Sequence, residues 1–331
     1  MANCHDQFVD FNSTISLTDD RKKKLKKSRT NLRNLIRDDF KENHKDEIKP
    51  KFTSQGSSAM KTTINPIPRT VQEDGKDKTI TKYDTDDGIY FIGPLDERKS
   101  VQTYHNWIWD AVDGYTGVPP VDKNTCVRTK FADGRHIDQP IYFIDEAEPD
   151  EPKLAHKKDG WVPSDPRAFS QWFNDQADEN EQLRRFVKYL KAWSDYQNYS
   201  DGSKKMPTGF VMTIWAADNF CANTRDDVGF RDTLQKIYDQ LNWRFECLRP
   251  TVPENEDVMD GYSYEQYFMD KLSAFLESAK QAVNETNPKN ACHKWQKHLG
   301  SRFSCANAKD EDEGAKSYSS PAVVTSNAKS A

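Results

Sequence analysis

The chain has 331 residues, with 48 Lys and Arg against 53 Asp and Glu and a net charge of −5. Its hydrophobic share is 35%, and even with 14 glycines added it stays below the roughly 45–50% of an average globular domain. This excludes a membrane-embedded protein, and the net acidity argues against a protein that wraps long nucleic acid. Eight Trp, 13 Tyr and 17 Phe still supply a sizeable core and exclude wholesale disorder.

The first residues, MANCHDQFVDFNST, lack the charged-then-apolar order of a signal peptide, so a cytoplasmic location is expected. Residues 17–43 read as one long amphipathic helix. Thr18 is its N-cap, and Leu25, Leu32, Leu35, Ile36 and Phe40 share one face. Its basic cluster from Arg21 to Arg37 reads as a solvated outer face, with contact to RNA or phosphate as the alternative. From Lys51 to about Glu148 the pattern changes to strands and turns. KFTSQGSSAMKTTI is a strand end, a small-residue turn and a short helix, and KTITKYDTDDGIYFI is a long β-prone run. SVQTYHNWIWDAVDGY is helical, and two strands flank Asp133-Gly134 as a tight hairpin.

An acidic loop rich in Pro and Lys, at about 146–160, marks the expected domain boundary. Beyond it, Asp165-Pro166 opens a helix, and three further helical patterns run from NEQLRRFVKYLKAW to YSYEQYFMDKLSAFLESAKQAV. The longest apolar run, GFVMTIWAA at 209–217, is far short of the ~18 residues of a spanning helix, so no membrane partner is expected. Six cysteines without a C-x-x-C pair (Cys4, Cys126, Cys221, Cys247, Cys292 and Cys305) are expected as reduced thiols holding no zinc. The expected organisation is 1–48 for the N-terminal long helix, 49–150 for the strand-rich domain, 151–305 for a helical domain and 306–331 for a disordered tail.

Three features suit one chemistry. Gln55-Gly56-Ser57 forms a turn where a backbone can approach an anion. Asp84 and Asp86 stand two apart in a strand, so their carboxylates share a face, and such a pair is costly unless a cation sits between them. A hard, oxygen-seeking ion such as Mg²⁺ is the natural occupant. Asp138 is a lone acid mid-strand between Ile137 and Ile141. A neighbouring strand would bring it to the other two.

The order G-S turn, D-x-D strand, later Asp is that of the polymerase-β-like nucleotidyltransferases. The chain further resembles the bacterial cGAS/DncV-like nucleotidyltransferases, which make cyclic oligonucleotide signals in anti-phage defence, and is most similar to the DncV-like cyclic GMP–AMP synthases. The resemblance rests on SQGSSAMKTTI (54–64), YDTDDGIYF (83–91), HIDQPIYF (136–143), DGWVPSDPRAFSQWF (159–173), FVKYLKAW (186–193) and HKWQKHLGSRF (293–303).

The resemblance implies an α+β fold: a polymerase-β-like core with a mixed sheet, an α-helical second domain and an active site in the cleft between them. It implies that Asp84, Asp86 and Asp138 are the catalytic, metal-binding carboxylates for Mg²⁺ or Mn²⁺. Gln55, Gly56 and Ser57, with Lys188 and Thr208, match the nucleotide-binding positions. ATP and GTP are the implied substrates, joined by two-metal nucleotidyl transfer and then closed into a ring. A linear oligonucleotide synthase and a catalytically inactive nucleotide-binding scaffold are the alternatives. Systems built around this family also encode ubiquitin-transfer-like proteins. The tail therefore has two readings, a conjugation acceptor ending at Ala331 or a solubilising end.

Overall fold

The computed structural model describes residues 1–73, 75–177 and 181–311. The chain opens with two helices, α1 (His5–Ile15) and α2 (Asp19–Glu42). Thr18 accepts a hydrogen bond from the Arg21 amide at the start of α2, and Leu25, Leu32, Ile36 and Phe40 form its buried stripe. The helix expected over 17–43 is α2, and α1 ahead of it was not expected. The chain turns through Ser16–Thr18 because the two helices serve different cores. Phe8 of α1 packs on Tyr189, Phe230, Trp295 and Phe303. The α2 stripe instead joins Ile89, Phe91, Ile141 and Phe143.

Next come β1 (Lys51–Gln55), the short α3 (Gly56–Ala59), the hairpin β2 (Arg69–Glu73) and β3 (Lys76–Ile80), and β4 (Tyr83–Gly93). After α4 (Val101–Val112) follow β5 (Val121–Asp122), β6 (Cys126–Lys130), β7 (Arg135–Asp145), β8 (Lys153–His156) and β9 (Gly160–Pro163). The main sheet runs β1-β4-β7-β6-β5, with β8 and β9 continuing from the far part of β7. The central pair, β4 and β7, is parallel, whereas β1–β4 and β6–β7 are antiparallel. That is the mixed sheet expected. Ile89, Phe91, Ile141 and Phe143 point from the central strands into the core under α2 and α4, which is why these strands read as apolar runs. The long β-prone run breaks at Thr81-Lys82. The segment expected as a boundary loop instead contains the β8–β9 hairpin, so the sheet extends to Pro163.

The rest is helical: α5 (Pro166–Gln176), α6 (Gln182–Ser200), α7 (Gly209–Asp218), α8 (Asp226–Trp243), α9 (Glu265–Asn284) and α10 (Pro288–Leu299). Asp165 caps α5 by accepting from the amides of Arg167 and Ala168. α7 is the longest apolar run of the sequence and is buried from Val211 to Ala217, hence its lack of a polar face.

The expectation of six reduced thiols is corrected at one pair. Cys292 of α10 and Cys305 form a disulfide, because the chain reverses at Gly300, buries Phe303 among the aromatic rings and returns alongside the helix. Residues 306–311 also follow that path. The Lys289 amide donates to the Lys309 carbonyl at 3.1 Å, and Ala308 is buried. The remainder of the expected tail, 312–331 with Ala331, lies outside the described residues. No helix among the described residues is long and apolar enough to cross a membrane.

Candidate active site

The parallel register of β4 and β7 sets Asp84 beside His136 and Asp86 beside Asp138. Side chains two apart on a strand share a face, so all four groups stand on the side of the sheet away from α2. Ligand atoms of Asp84, His136 and Asp138 lie within 4.8 Å of one another. Asp86 leans the other way, toward the turn after β1. A Cβ on Gly56 would lie 2.4 Å from its Oδ2, and Gly56 has φ +64°, so only glycine brings the turn this close to the carboxylate. Gly88 is needed for a similar reason, since a Cβ there would meet the Gln55 side chain at 2.4 Å.

The charges in this cluster do not balance on their own. Burial, reinforced by repulsion from Asp84 and Asp138, pushes the Asp86 carboxyl up to about 7. Burial acts on Asp84 too, but His136 at 3.4 Å, with Arg128 and Lys191, outweighs it and holds that carboxyl below its usual range. Asp138 is clasped by Arg128 from β6, Nε to Oδ1 at 2.6 Å and Nη2 to Oδ2 at 2.5 Å. Three carboxylates and one imidazole, with one carboxyl driven toward its neutral form by burial and by the other two, fit a hard divalent ion such as Mg²⁺ or Mn²⁺.

Asp84 and Asp86 of this cluster line a cavity of about 820 Å³ between the sheet and the helices, with His136 and Asp138 beside them on β7. Gly56, Ser57, Asp84 and Asp86 line it from the sheet side, and Lys191 and Thr208 from the helical side. Ser57 Oγ lies 3.0 Å from Thr63 Oγ1. Thr208 caps α7, accepting from the Val211 amide. Gln55 adjoins Asp86 in the strand register, but its amide is tied to Tyr142 at 3.2 Å and Tyr90 at 3.0 Å. Lys188 sits one helical turn before Lys191 and faces away, donating to Ser16 and Asn12 at 3.2 and 3.4 Å.

Lys191 is the cavity cation that acts on the Asp84 and Asp86 carboxylates, and Arg69, Lys204, Lys205 and Arg249 line the cavity as well. It donates to Thr62, and burial lowers its ammonium to about 8 despite the pull of Asp84 and Asp86. Sequence reasoning missed His136, Arg128 and Lys191. The first two needed the strand register, and the third needed the packing of α6, which separates two lysines one turn apart.

Residues 50–142 match the family model of the nucleotidyltransferase domain of DncV-like cyclic GMP-AMP synthases. The chain carries a DncV-like nucleotidyltransferase domain. A cyclic GMP-AMP synthase of Escherichia albertii is 27% identical over 216 residues, covering 62% of this chain and 45% of that protein. The matched stretch is thus less than half the length of that curated relative. Vibrio cholerae DncV in its GTP-bound form superposes with a TM-score of 0.72 at 20% identity, over 91% of this chain and 96% of that one. The same enzyme with the linear intermediate 5′ pppA(3′,5′)pG gives 0.71 at 21% identity, over 92% and 98%. At such identities the solved structures establish the fold: the DncV-like core and the helical region beside it share one architecture with them.

Proposed function

We propose that the chain is a cyclic oligonucleotide synthase that joins NTPs, ATP and GTP foremost, into a cyclic di- or trinucleotide. The observation that carries this is the β4–β7 register, which stands Asp138 and His136 beside Asp86 and Asp84, the two carboxylates at the wall of a cleft that the Gly56-Ser57 turn also lines. Asp84, Asp86 and Asp138 would hold the divalent ions. Bound there, Mg²⁺ or Mn²⁺ supplies charge neutralisation at the reacting phosphate and its leaving pyrophosphate.

The protein groups divide the rest of the work. Gly56 and Ser57 receive the triphosphate, where free backbone N–H groups at the turn favour anions. Lys191 and Thr208 face them across the cleft, and the lysine offsets charge on the departing pyrophosphate. Asp138, held in place by Arg128, orients the acceptor ribose hydroxyl and takes its proton. A second transfer on the turned-over linear product closes the ring. A cleft of about 820 Å³ is at the upper end of ordinary ligand pockets, in keeping with more than one nucleotide. Such a product would act as a second messenger in anti-phage defence, made in the cytoplasm, as the resemblance implies.

Incubating the purified protein with labelled NTPs and Mg²⁺ or Mn²⁺ tests this. The expected product is resistant to phosphatase and has the mass of a ring. A ladder of phosphatase-sensitive chains would identify a linear synthase instead.

A further inference from the structure

A second cavity, of about 530 Å³, lies on the far side of the Gly56-Ser57 turn from the cleft. Its walls are α2, the segment from Ser58 to Thr63, the N-terminal half of α6, and Asp84 and Thr85 at the start of β4. Seven cationic side chains line it against two carboxylates, Asp84 and Glu181. Three of the seven are already neutralised: Lys22 by Asp19, Arg184 by Glu181 and Arg185 by Asp226. Lys26, Arg29, Lys61 and Lys188 have no carboxylate in salt-bridge contact among the described residues. Arg29 donates to Ser54 Oγ at 2.7 Å and Lys188 to Ser16 and Asn12, all neutral acceptors.

Gathering unpaired cations in a recess is unfavourable unless an anion joins them. Burial, together with Lys22, Arg185 and Arg184, lowers the Lys188 ammonium, while Glu181 opposes this. Two further observations point inward. Thr85 is 3% exposed, and its Oγ1 has no hydrogen-bond partner. Lys61 keeps a left-handed backbone at φ +58°, uncommon for a non-glycine residue.

The lining also limits the ligand. It contains no aromatic ring, and its only large apolar side chains are Leu17 and Leu25, so nothing is placed to stack on a base. Cations, hydroxyls and amides from three directions suit a compact chain of phosphates. We propose that this second cavity binds an oligophosphate, either free or as the 5′ end of a nucleotide, at a site separate from the catalytic cleft. The two sites share Asp84 and Thr63 as walls, so occupation of one would be felt at the other. That coupling rests on the proposed function; the binding itself does not.

Calorimetric titration of the full chain with tripolyphosphate in EDTA tests the binding without any turnover. Lys26→Ala with Lys61→Gly removes two exposed lysines and keeps the left-handed backbone at 61. This pair should weaken the second-cavity site by about tenfold or more, with an unchanged melting temperature. Lys188→Met should weaken it similarly, whereas Lys191→Met, in the cleft, should leave it in place. Titration with ATP separates the sources. Loss of one ATP site in the double variant assigns the cavity to a nucleotide's 5′ end, and unaltered ATP binding assigns it to the free anion. Equal tripolyphosphate affinity in parent and double variant overturns the proposal. So does lysine-dependent binding of a short single-stranded RNA without any of tripolyphosphate.

Discussion

Arg128 stands directly across the β6–β7 pair from Asp138 and holds both of its carboxylate oxygens. Both side chains are largely buried, at 23% and 13% exposure, so the pair fixes the rotamer of the acid as well as its charge. The guanidinium therefore occupies lone pairs that a divalent ion would also use. Arg128→Gln should lower the metal-free stability by about 1.5–3 kcal/mol. Mn²⁺ should then raise the melting temperature of the variant by more than it raises that of the parent. An equal metal-induced shift in both proteins would show that Asp138 takes no part in metal binding.

The double variant Asp84→Asn, Asp86→Asn should lose metal-dependent pyrophosphate release while remaining folded. Its stability should also differ in pH dependence. The Asp86 carboxyl ionises near 3.8 in the unfolded chain and near 7 in the folded one. The folded state thus binds more protons between those values, and parental stability without metal should fall as pH rises from about 4 to about 7. Without that carboxyl the fall should largely vanish, and above pH 7 the variant should melt no lower than the parent. Thermal melts across pH in EDTA read both outcomes.

Lys191 should set an alkaline limit on substrate binding. Its ammonium, lowered to about 8, loses its charge as pH rises through that value, so KM for NTP should climb there. Lys191→Arg should carry the rise to higher pH, since arginine keeps its charge. Initial rates against substrate concentration at several pH values would show this, and a KM limb that stays in place in the variant would exclude Lys191 as its origin.

Ser57→Ala tests the turn more gently. One hydrogen bond to a charged phosphate contributes about 1.5–3 kcal/mol, so NTP use should fall by roughly one to two orders of magnitude in kcat/KM. No measurable change would make the Ser57–Thr63 contact purely structural.

Reduction should weaken the chain without unfolding it at room temperature. The Cys292–Cys305 bridge closes a loop of 13 residues, worth about 2–4 kcal/mol. Dithiothreitol should lower the melting temperature of the parent and leave that of Cys292→Ser unchanged. The bridge was invisible in the sequence because nothing in a 12-residue spacing reveals a chain reversal. That reversal depends on Gly300 and on Phe303 finding the aromatic core.

What was readable depended on how local the signal is. The α2 stripe, the Asp165-Pro166 start of α5 and the D-x-D strand follow from period and capping alone. α7 was missed because a helix buried on all sides has no amphipathic period, and α1 because eleven residues give too short a window. At the site, the Asp residues and the Gly56-Ser57 turn were legible as motifs. Their partners were not, because His136 and Arg128 reach them only through strand register. Lys191 and Lys188 look alike in sequence, and only the packing of α6 tells which one enters the cleft.

Product analysis tests the central claim most directly. Purified protein is incubated with the four labelled NTPs and Mg²⁺ or Mn²⁺, treated with phosphatase and analysed by mass. Release of pyrophosphate together with a phosphatase-resistant cyclic product, lost in Asp86→Asn, is the predicted result. Intact NTPs in the parent, or the same cyclic product from Asp86→Asn, would contradict it.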